Sequence, residues 1–286
     1  MSNEKSWSYL AKNYDKLVKP PSRPCKEQLK IWDKIIRQKM GRPAGNALIG
    51  NALILGATPE LRDLALKNKL YTWSVDINEA MMEAMTKLMK RANIRHEARI
   101  IKDWQKVFLP EKYFDIIMMD AALNNLLTDA GNKAVIKRMA NWLAPDGIVL
   151  MRNLVIKSLK NKKTVKYWFN RIQKKEAINF GDLSLLFRVD SGASTLTKSP
   201  SIVDSAVNYQ KVMKQFDGQN KKVKIFLEKY YQLVGKDHKK FFAYEKSDFE
   251  KMLKKYFKIL PVKKCGEHFS CRAIFPAYYL KKKHHA

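Results

Sequence analysis

The chain has 286 residues, and its hydrophobic share of 46% is ordinary for a folded protein, which excludes disorder along the whole chain. No apolar run approaches the roughly 20 residues that cross a bilayer, and the first residues lack a signal pattern. We therefore expect a soluble, cytoplasmic protein with no membrane partner. The formal net charge of +29 fits a polyanion or acidic partner, and it fits a lysine-rich solvated surface equally well.

The positive charge is concentrated towards the C-terminus. Residues 156–286 carry 30 Lys+Arg against 11 Asp+Glu, whereas residues 1–155 carry 26 against 16. The three cysteines, at positions 25, 265 and 271, have neither a pairing pattern nor a metal-ligand spacing. We expect all three thiols to be reduced and structural, and we expect no metal site.

Residues 1–45 predict two helices that form an N-terminal helical cap. Apolar side chains recur at helical spacing from Trp7 to Val18, and again between Lys26 and Met40. Prolines separate the two helices, and a glycine- and proline-containing loop ends the second one.

Residues 46–155 alternate between short apolar runs and helical patterns. Such alternation is typical of a parallel sheet with right-handed crossovers and helices on both faces. The predicted strands are 52–55, 72–75, 98–101, 114–119 and 148–151, and the predicted helices are 60–69, 79–91 and 131–143.

Residues 156–236 interrupt this alternation, and we interpret them as a basic, partly helical insertion that forms a lid. Residues 237–286 predict a helix followed by two strands that pair in antiparallel fashion at one edge. The fold class is therefore α/β, with a doubly wound, mostly parallel, seven-stranded sheet. The predicted elements of this half are helices 222–234 and 246–256 and strands 257–262 and 272–280.

Four chemically distinctive residues follow four consecutive predicted strands. Gly56 follows the first strand, and Asp76, Asp103 and Asp120 follow the next three. Ligands bind at the carboxyl ends of strands in open α/β sheets, so these residues predict one common site. A glycine allows a ligand to approach the backbone, and a carboxylate can accept hydrogen bonds from both hydroxyls of a ribose.

The stretch from Asn46 to Leu154 resembles the class I S-adenosylmethionine-dependent methyltransferases, which have a Rossmann-like fold. The resemblance rests on the turn Leu55-Gly-Ala-Thr-Pro-Glu-Leu-Arg62, on Asp76, and on the Leu-Ala-Pro-Asp-Gly turn before the fifth strand. The first of these motifs is similar to that of a sub-branch without a defined substrate. A dehydrogenase is disfavoured because the chain has no GxGxxG.

The resemblance implies S-adenosyl-L-methionine as cofactor and a set of residues that hold it. Gly56 would lie beside the methionine part and Asp76 would hold the ribose. Asp103 would accept the adenine amino hydrogen, with Trp104 or Ile77 packed on the ring, and the loop after Asp120 would face the sulfonium. The predicted cofactor-binding residues are Tyr14, Gly56, Ala57, Thr58, Pro59, Asp76, Ile77, Met81, Asp103, Trp104, Asp120 and Ala121.

The methyl acceptor is not identified by the sequence. The loop after Asp120 lacks an Asn-Pro-Pro-aromatic motif and a Pro-Cys nucleophile, which argues against adenine-N6 and cytosine-C5 methylation. Asp120 and His268 are the candidate catalytic bases. Arg23 and Arg152 are candidates for pairing with a carboxylate, and surface salt bridges explain them equally well.

Three functions remain open from the sequence. The first is methyl transfer to an O or N atom of a small or medium-sized, possibly acidic acceptor. The second is RNA methylation, which the basic C-terminal half supports. The third is a non-catalytic protein that binds S-adenosylmethionine. The oligomeric state is not predicted.

Overall fold

The computed structural model describes residues 4–41, 47–93, 95–156, 199–204, 221–234, 240–262 and 274–283, with residues 167, 170, 171 and 174. Most of the predicted insertion therefore lies outside the described residues, as do Cys265, Cys271 and His268. In the described part, no helix is long and apolar enough to span a membrane.

The described chain alternates helices and strands as predicted, with ends shifted by a few residues. The helices are α1 (Glu4–Leu17), α2 (Lys26–Met40), α3 (Pro59–Lys67), α4 (Glu79–Leu88), α5 (Asp129–Trp142), α6 (Lys221–Val234) and α7 (Lys246–Leu253). The strands are β1 (Gly50–Leu55), β2 (Leu70–Asp76), β3 (Glu97–Ile101), β4 (Phe114–Asp120), β5 (Leu143–Arg152), β6 (Val155–Ile156), β7 (Ser201–Asp204), β8 (Lys240–Glu245), β9 (Phe257–Leu260) and β10 (Ala277–Lys282).

The central sheet has seven strands in the order β3-β2-β1-β4-β5-β10-β9. The first five strands of this order are parallel to their neighbours, whereas β10 pairs antiparallel with both β5 and β9. The predicted α/β fold class is confirmed, including the antiparallel pair at the edge.

Helices cover the sheet on both faces, because each central strand is apolar on both sides. In β1, Leu53 and Leu55 belong to the core cluster that includes residues of α5 and α7. Ala52 and Ile54 belong instead to the cluster that contains Trp32 of α2 and residues of α3. Successive side chains of a strand point to opposite faces, so an unbroken apolar run produces a three-layer core.

A second sheet of three strands, in the order β6-β8-β7, was not predicted. One buried amide attaches it to the main sheet: Asn124 Nδ2 donates to the carbonyl oxygens of Leu154 at 2.9 Å and Phe242 at 2.7 Å. Asn124 Oδ1 accepts from the amide of Leu154 at 2.9 Å. Asn124 thereby connects the end of β5 with β8.

Arg62, the last residue of the motif that follows β1, has a structural role. It is fully buried and donates to both carboxylate oxygens of Glu97, at 2.6 and 2.8 Å, and to Thr86 Oγ1 at 2.7 Å. Ser74 donates to the same carboxylate at 2.8 Å. The motif arginine therefore has a structural partner, and this network connects α3, α4, β2 and β3.

We predict that Arg62→Ala destabilises the protein by about 3–5 kcal/mol, because it leaves the Glu97 carboxylate buried without its counter-charge. Urea unfolding measures the loss. Lys67→Ala is the matched control, since Lys67 pairs with Asp33 at 2.9 Å while 41% exposed, and such pairs contribute at most about 1 kcal/mol. Equal losses for the two variants would contradict the role of the buried network.

Candidate active site

A cavity of about 360 Å³ lies at the carboxyl edge of the main sheet, beneath α1. Its size falls in the range of small-molecule sites. Pro59 is buried as the first residue of α3 and does not line the cavity, and His268 lies outside the described residues. Eleven predicted site residues do line it: Tyr14, Gly56, Ala57, Thr58, Asp76, Ile77, Met81, Asp103, Trp104, Asp120 and Ala121.

Gly56 opens the cavity towards Asp76. Its φ of +108° lies in the region that favours glycine, and its amide donates to the Val75 carbonyl oxygen at 2.8 Å. A Cβ built on Gly56 would stand 4.0 Å from Asp76 Oδ2, which is the nearest atom it would meet. The space above the turn is therefore free for a ligand that reaches the carboxylate.

Asp76 is oriented by the backbone around it. Its Oδ1 accepts from the amide of Asn78 at 2.8 Å, and the amides of Ala57 and Ile77 also stabilise the carboxylate. Burial nevertheless outweighs these hydrogen bonds and raises the pKa of Asp76 to about 6. Asp76 is thus a partly exposed carboxylate at the cavity wall with a raised pKa.

Trp104 and Asp103 form the wall beyond β3. The indole Nε1 of Trp104 donates to the Val75 carbonyl oxygen at 2.7 Å, which fixes the ring against the end of β2. Asp103 Oδ1 accepts from the amide of Gln105 at 2.8 Å, so this carboxylate also stabilises a local turn. Ile77 is 53% exposed beside them, which leaves an apolar surface for a planar group.

Asp120 forms a buried ion pair with Arg152. The two residues are register partners at the ends of β4 and β5, and Arg152 donates to both carboxylate oxygens, at 2.8 and 2.9 Å. Arg152 also donates to the Pro21 carbonyl oxygen at 2.8 Å, and its guanidinium lies 4.4 Å from the ring centre of Phe275. Because both oxygens of Asp120 are engaged, this geometry favours a positioning role over proton transfer.

The residue after Asp120 has an unusual backbone conformation. Ala121 has a φ of +54°, which is uncommon for a residue with a side chain. Its amide donates to the Arg152 carbonyl oxygen at 3.0 Å. Arg152 is therefore hydrogen-bonded to both Asp120 and Ala121. Strained backbone of this kind concentrates at functional sites.

Tyr14 of α1 covers the cavity above these charges. Burial, together with Glu60 and Asp120, raises the pKa of the Tyr14 phenol far above its ordinary value, so the hydroxyl stays neutral. The guanidinium of Arg23 lies 5.2 Å from the Tyr14 ring centre and pairs with Glu60 and with Asp15. Glu60, in the first turn of α3, is thus the motif residue that contacts the N-terminal cap.

The cavity continues beyond Asp120 into an end that sequence reasoning missed. We call this the acceptor end. Its side chains come from segments far apart in sequence, so no local pattern could have identified them. They are Leu126, Leu127, Leu154, Phe241 and Phe275.

One polar side chain interrupts this apolar surface. Asn125 lines the cavity, and its Nδ2 donates to the Ala121 carbonyl oxygen at 3.1 Å. Its Oδ1 is buried and has no hydrogen-bond partner among the described residues. A buried carbonyl oxygen of this kind is a candidate partner for a ligand donor.

Comparison with known families identifies residues 55–151, about a third of the chain, as a methyltransferase domain. No curated protein matches the chain. The matched residues contain the predicted sites at the ends of β1 to β4. The match confirms the predicted S-adenosylmethionine-dependent methyltransferase and its cofactor, whereas the sub-branch and the individual residue roles stay predictions.

Solved structures share the fold over nearly the whole chain at low identity. The N-methyltransferase NodS from Bradyrhizobium japonicum WM9, in complex with S-adenosyl-L-homocysteine, is 12% identical, with a TM-score of 0.53 and 99% of both chains covered. The CcbJ methyltransferase from Streptomyces caelestis is 8% identical, with a TM-score of 0.53 and 96% of this chain and 98% of that chain covered.

A third solved structure with the same fold has a name from a different class of enzyme. A Rhodobacter sphaeroides protein provisionally named a Zn-dependent alcohol dehydrogenase is 12% identical, with a TM-score of 0.56 and 99% of both chains covered. Likeness at this identity shows the fold alone. The domain match and the residues of the cavity, rather than the fold, therefore point to methyl transfer.

The pKa of Asp76 predicts how cofactor affinity depends on pH. Burial raises this pKa to about 6, so the carboxylate that would accept from the ribose is lost as pH falls below that value. We expect the affinity for S-adenosylhomocysteine, measured by calorimetry between pH 8 and pH 5, to fall up to about tenfold per pH unit below pH 6.

Two variants test whether Asp76 causes this dependence. Asp76→Asn should weaken binding at pH 8 and abolish the dependence near pH 6, because the amide does not titrate. Asp146→Asn should behave as wild type, since that side chain is 67% exposed and remote from the cavity wall. An unchanged pH profile in Asp76→Asn would exclude Asp76 as its source.

Proposed function

We propose that this S-adenosylmethionine-dependent methyltransferase transfers a methyl group to an O or N atom of a small or medium-sized acceptor. The observation that carries the proposal is the single cavity that extends from Gly56 and Asp76, past Asp120, into the acceptor end. A continuous cavity permits two ligands to meet, and it has the size of a small-molecule site.

The residues at the first end of the cavity fit the cofactor. Gly56 leaves room beside the backbone, Asp76 presents a carboxylate, and Trp104 and Ile77 offer apolar surface for a ring. When bound, S-adenosylmethionine supplies a methyl group on a sulfonium centre that an acceptor lone pair can displace. Transfer of this kind depends chiefly on positioning the two reactants in line.

The chain's own residues would position the acceptor and exclude water. Asp120 and Arg152 neutralise each other beneath the junction of the two ends, and Ala121 is held by the Arg152 carbonyl oxygen. Tyr14 closes the junction from α1. The predicted base His268 lies outside the described residues, so its role stays a prediction, as do the cytoplasmic location and the limits of the lid.

RNA methylation is the second candidate, and the net charge of +29 favours it. A basic surface attracts polyanions through counterion release, independently of the cavity. The charge therefore supports RNA binding without identifying the methyl acceptor. A non-catalytic cofactor-binding protein is the third candidate, and turnover distinguishes it from the first two.

Methyl-labelled S-adenosylmethionine, added with the wild-type protein to a cell extract, separates the three candidates. We expect the label in the small-molecule fraction. Label in RNA would favour the second candidate, and label in neither fraction, with binding of S-adenosylhomocysteine intact, would favour the third.

Asp76→Ala and Asp146→Ala form a matched pair for the same assay. Asp76→Ala should weaken cofactor binding by about 1.5–3 kcal/mol, the scale of hydrogen bonds to charged groups, and should reduce labelling accordingly. Asp146→Ala should leave both quantities unchanged. Labelling that is insensitive to Asp76→Ala would show that another protein in the extract transfers the methyl group.

A further inference from the structure

The cavity wall differs in charge from the rest of the molecule. The chain carries 56 Lys+Arg, yet none of the described residues that line the cavity is Lys, Arg or His. Its charged lining residues are Asp76, Asp103 and Asp120. A random sample of this basic surface would include several cations. The described lining therefore differs from the rest of the surface in the sign of its charged side chains.

Each of the three aspartates already has a partner within the protein. Asp76 accepts from backbone amides, Asp103 accepts from the amide of Gln105, and Asp120 is neutralised by Arg152. The acceptor is therefore not required to supply a counter-charge for any of them. An acceptor that carried a charge would have to lose hydration without gaining a partner.

The two arginines nearest to the cavity also have partners within the protein. Arg152 donates to Asp120 and to the Pro21 carbonyl oxygen while it stacks on Phe275, and Arg23 pairs with Asp15 and Glu60. Binding an anion through either arginine would require breaking an existing ion pair. Such an exchange is costly in a buried site, because it exposes an unpaired carboxylate.

The acceptor end is apolar, and most of its side chains are buried. Leu154 is 2% exposed, Phe241 is 6% exposed and Phe275 is 7% exposed. Two phenylalanine rings and several leucine side chains stabilise an apolar ligand by area burial and by aromatic contact. Asn125 adds one carbonyl oxygen that a single N–H or O–H of the ligand can satisfy.

We propose that the methyl acceptor is an uncharged, predominantly apolar small molecule that carries at most one or two polar groups. The proposal rests on the proposed function, since it describes the second ligand of the same cavity. It opposes the earlier expectation of an acidic acceptor and assigns the positive charge of the chain to its outer surface. Neutral aromatic amines, phenols and amides have this chemistry.

A pair of isosteric probes tests the proposal. 2-Naphthamide and 2-naphthoate have the same shape and differ in charge, and each is titrated by calorimetry into protein saturated with S-adenosylhomocysteine at physiological salt. We expect 2-naphthamide to bind at least about tenfold more tightly than 2-naphthoate, because none of the described residues that line the wall is a cation that could pair with the carboxylate. Equal or tighter binding of 2-naphthoate would overturn the proposal, as would binding of neither probe.

A charge introduced into the acceptor end provides the second measurement. Leu127 is partly exposed on the cavity wall, so Leu127→Lys adds a cation with little cost to folding. This variant should reverse the preference between the two probes, whereas Leu127→Met, which keeps size and neutrality, should retain it. An unchanged preference in Leu127→Lys would show that the probes bind elsewhere, which would overturn the assignment.

The affinity for S-adenosylhomocysteine separates this failure from failure of the proposed function. Binding of that compound by wild type and by both Leu127 variants shows that the fold and the cofactor site are intact. If it binds normally while the probes behave contrary to expectation, only the class of acceptor is wrong. If it does not bind to wild type, the proposed function itself fails.

Discussion

The ion pair between Arg152 and Asp120 is the interaction on which the architecture of the site depends. It joins the ends of β4 and β5, and the same guanidinium reaches the Pro21 carbonyl oxygen and the Phe275 ring. The N-terminal cap, the sheet and the segment before β10 therefore meet at one buried charge. A buried ion pair adds little net stability compared with apolar packing, but breaking it is costly. Its contribution here is to fix one arrangement of three separate segments.

The sheet was predictable because its strands are short apolar runs that need cover on both faces. β1 and β4 are apolar at every buried position, and the pattern leaves no alternative to a layered α/β core. The first end of the cavity was predictable for the same reason. Gly56, Asp76, Asp103 and Asp120 follow consecutive strands, and the carboxyl ends of parallel strands share one edge.

The acceptor end was not predictable, because long-range packing builds it. Phe241 and Phe275 look like ordinary core residues in the sequence, and only tertiary structure places them with Leu154 on the cavity wall. The small sheet was missed because β6 has only two residues and β7 lies in a segment without a clear period. For Arg23 and Arg152, pairing with a carboxylate and a surface salt bridge fitted the sequence equally well, since a charged residue carries no sequence signal of its partner.

The separation in sequence between the walls of the cavity has a consequence for folding. Trp7 and Phe275 line the same space, so the cavity closes only when the two most distant described parts of the chain have come together. Contacts of high sequence separation carry a loop-closure cost in entropy, and they slow folding. A chain that lacks either segment lacks part of the cavity wall, and without the C-terminal segment the main sheet also lacks β10. Binding of a ligand that touches both walls therefore reports that the two ends of the described chain have packed together.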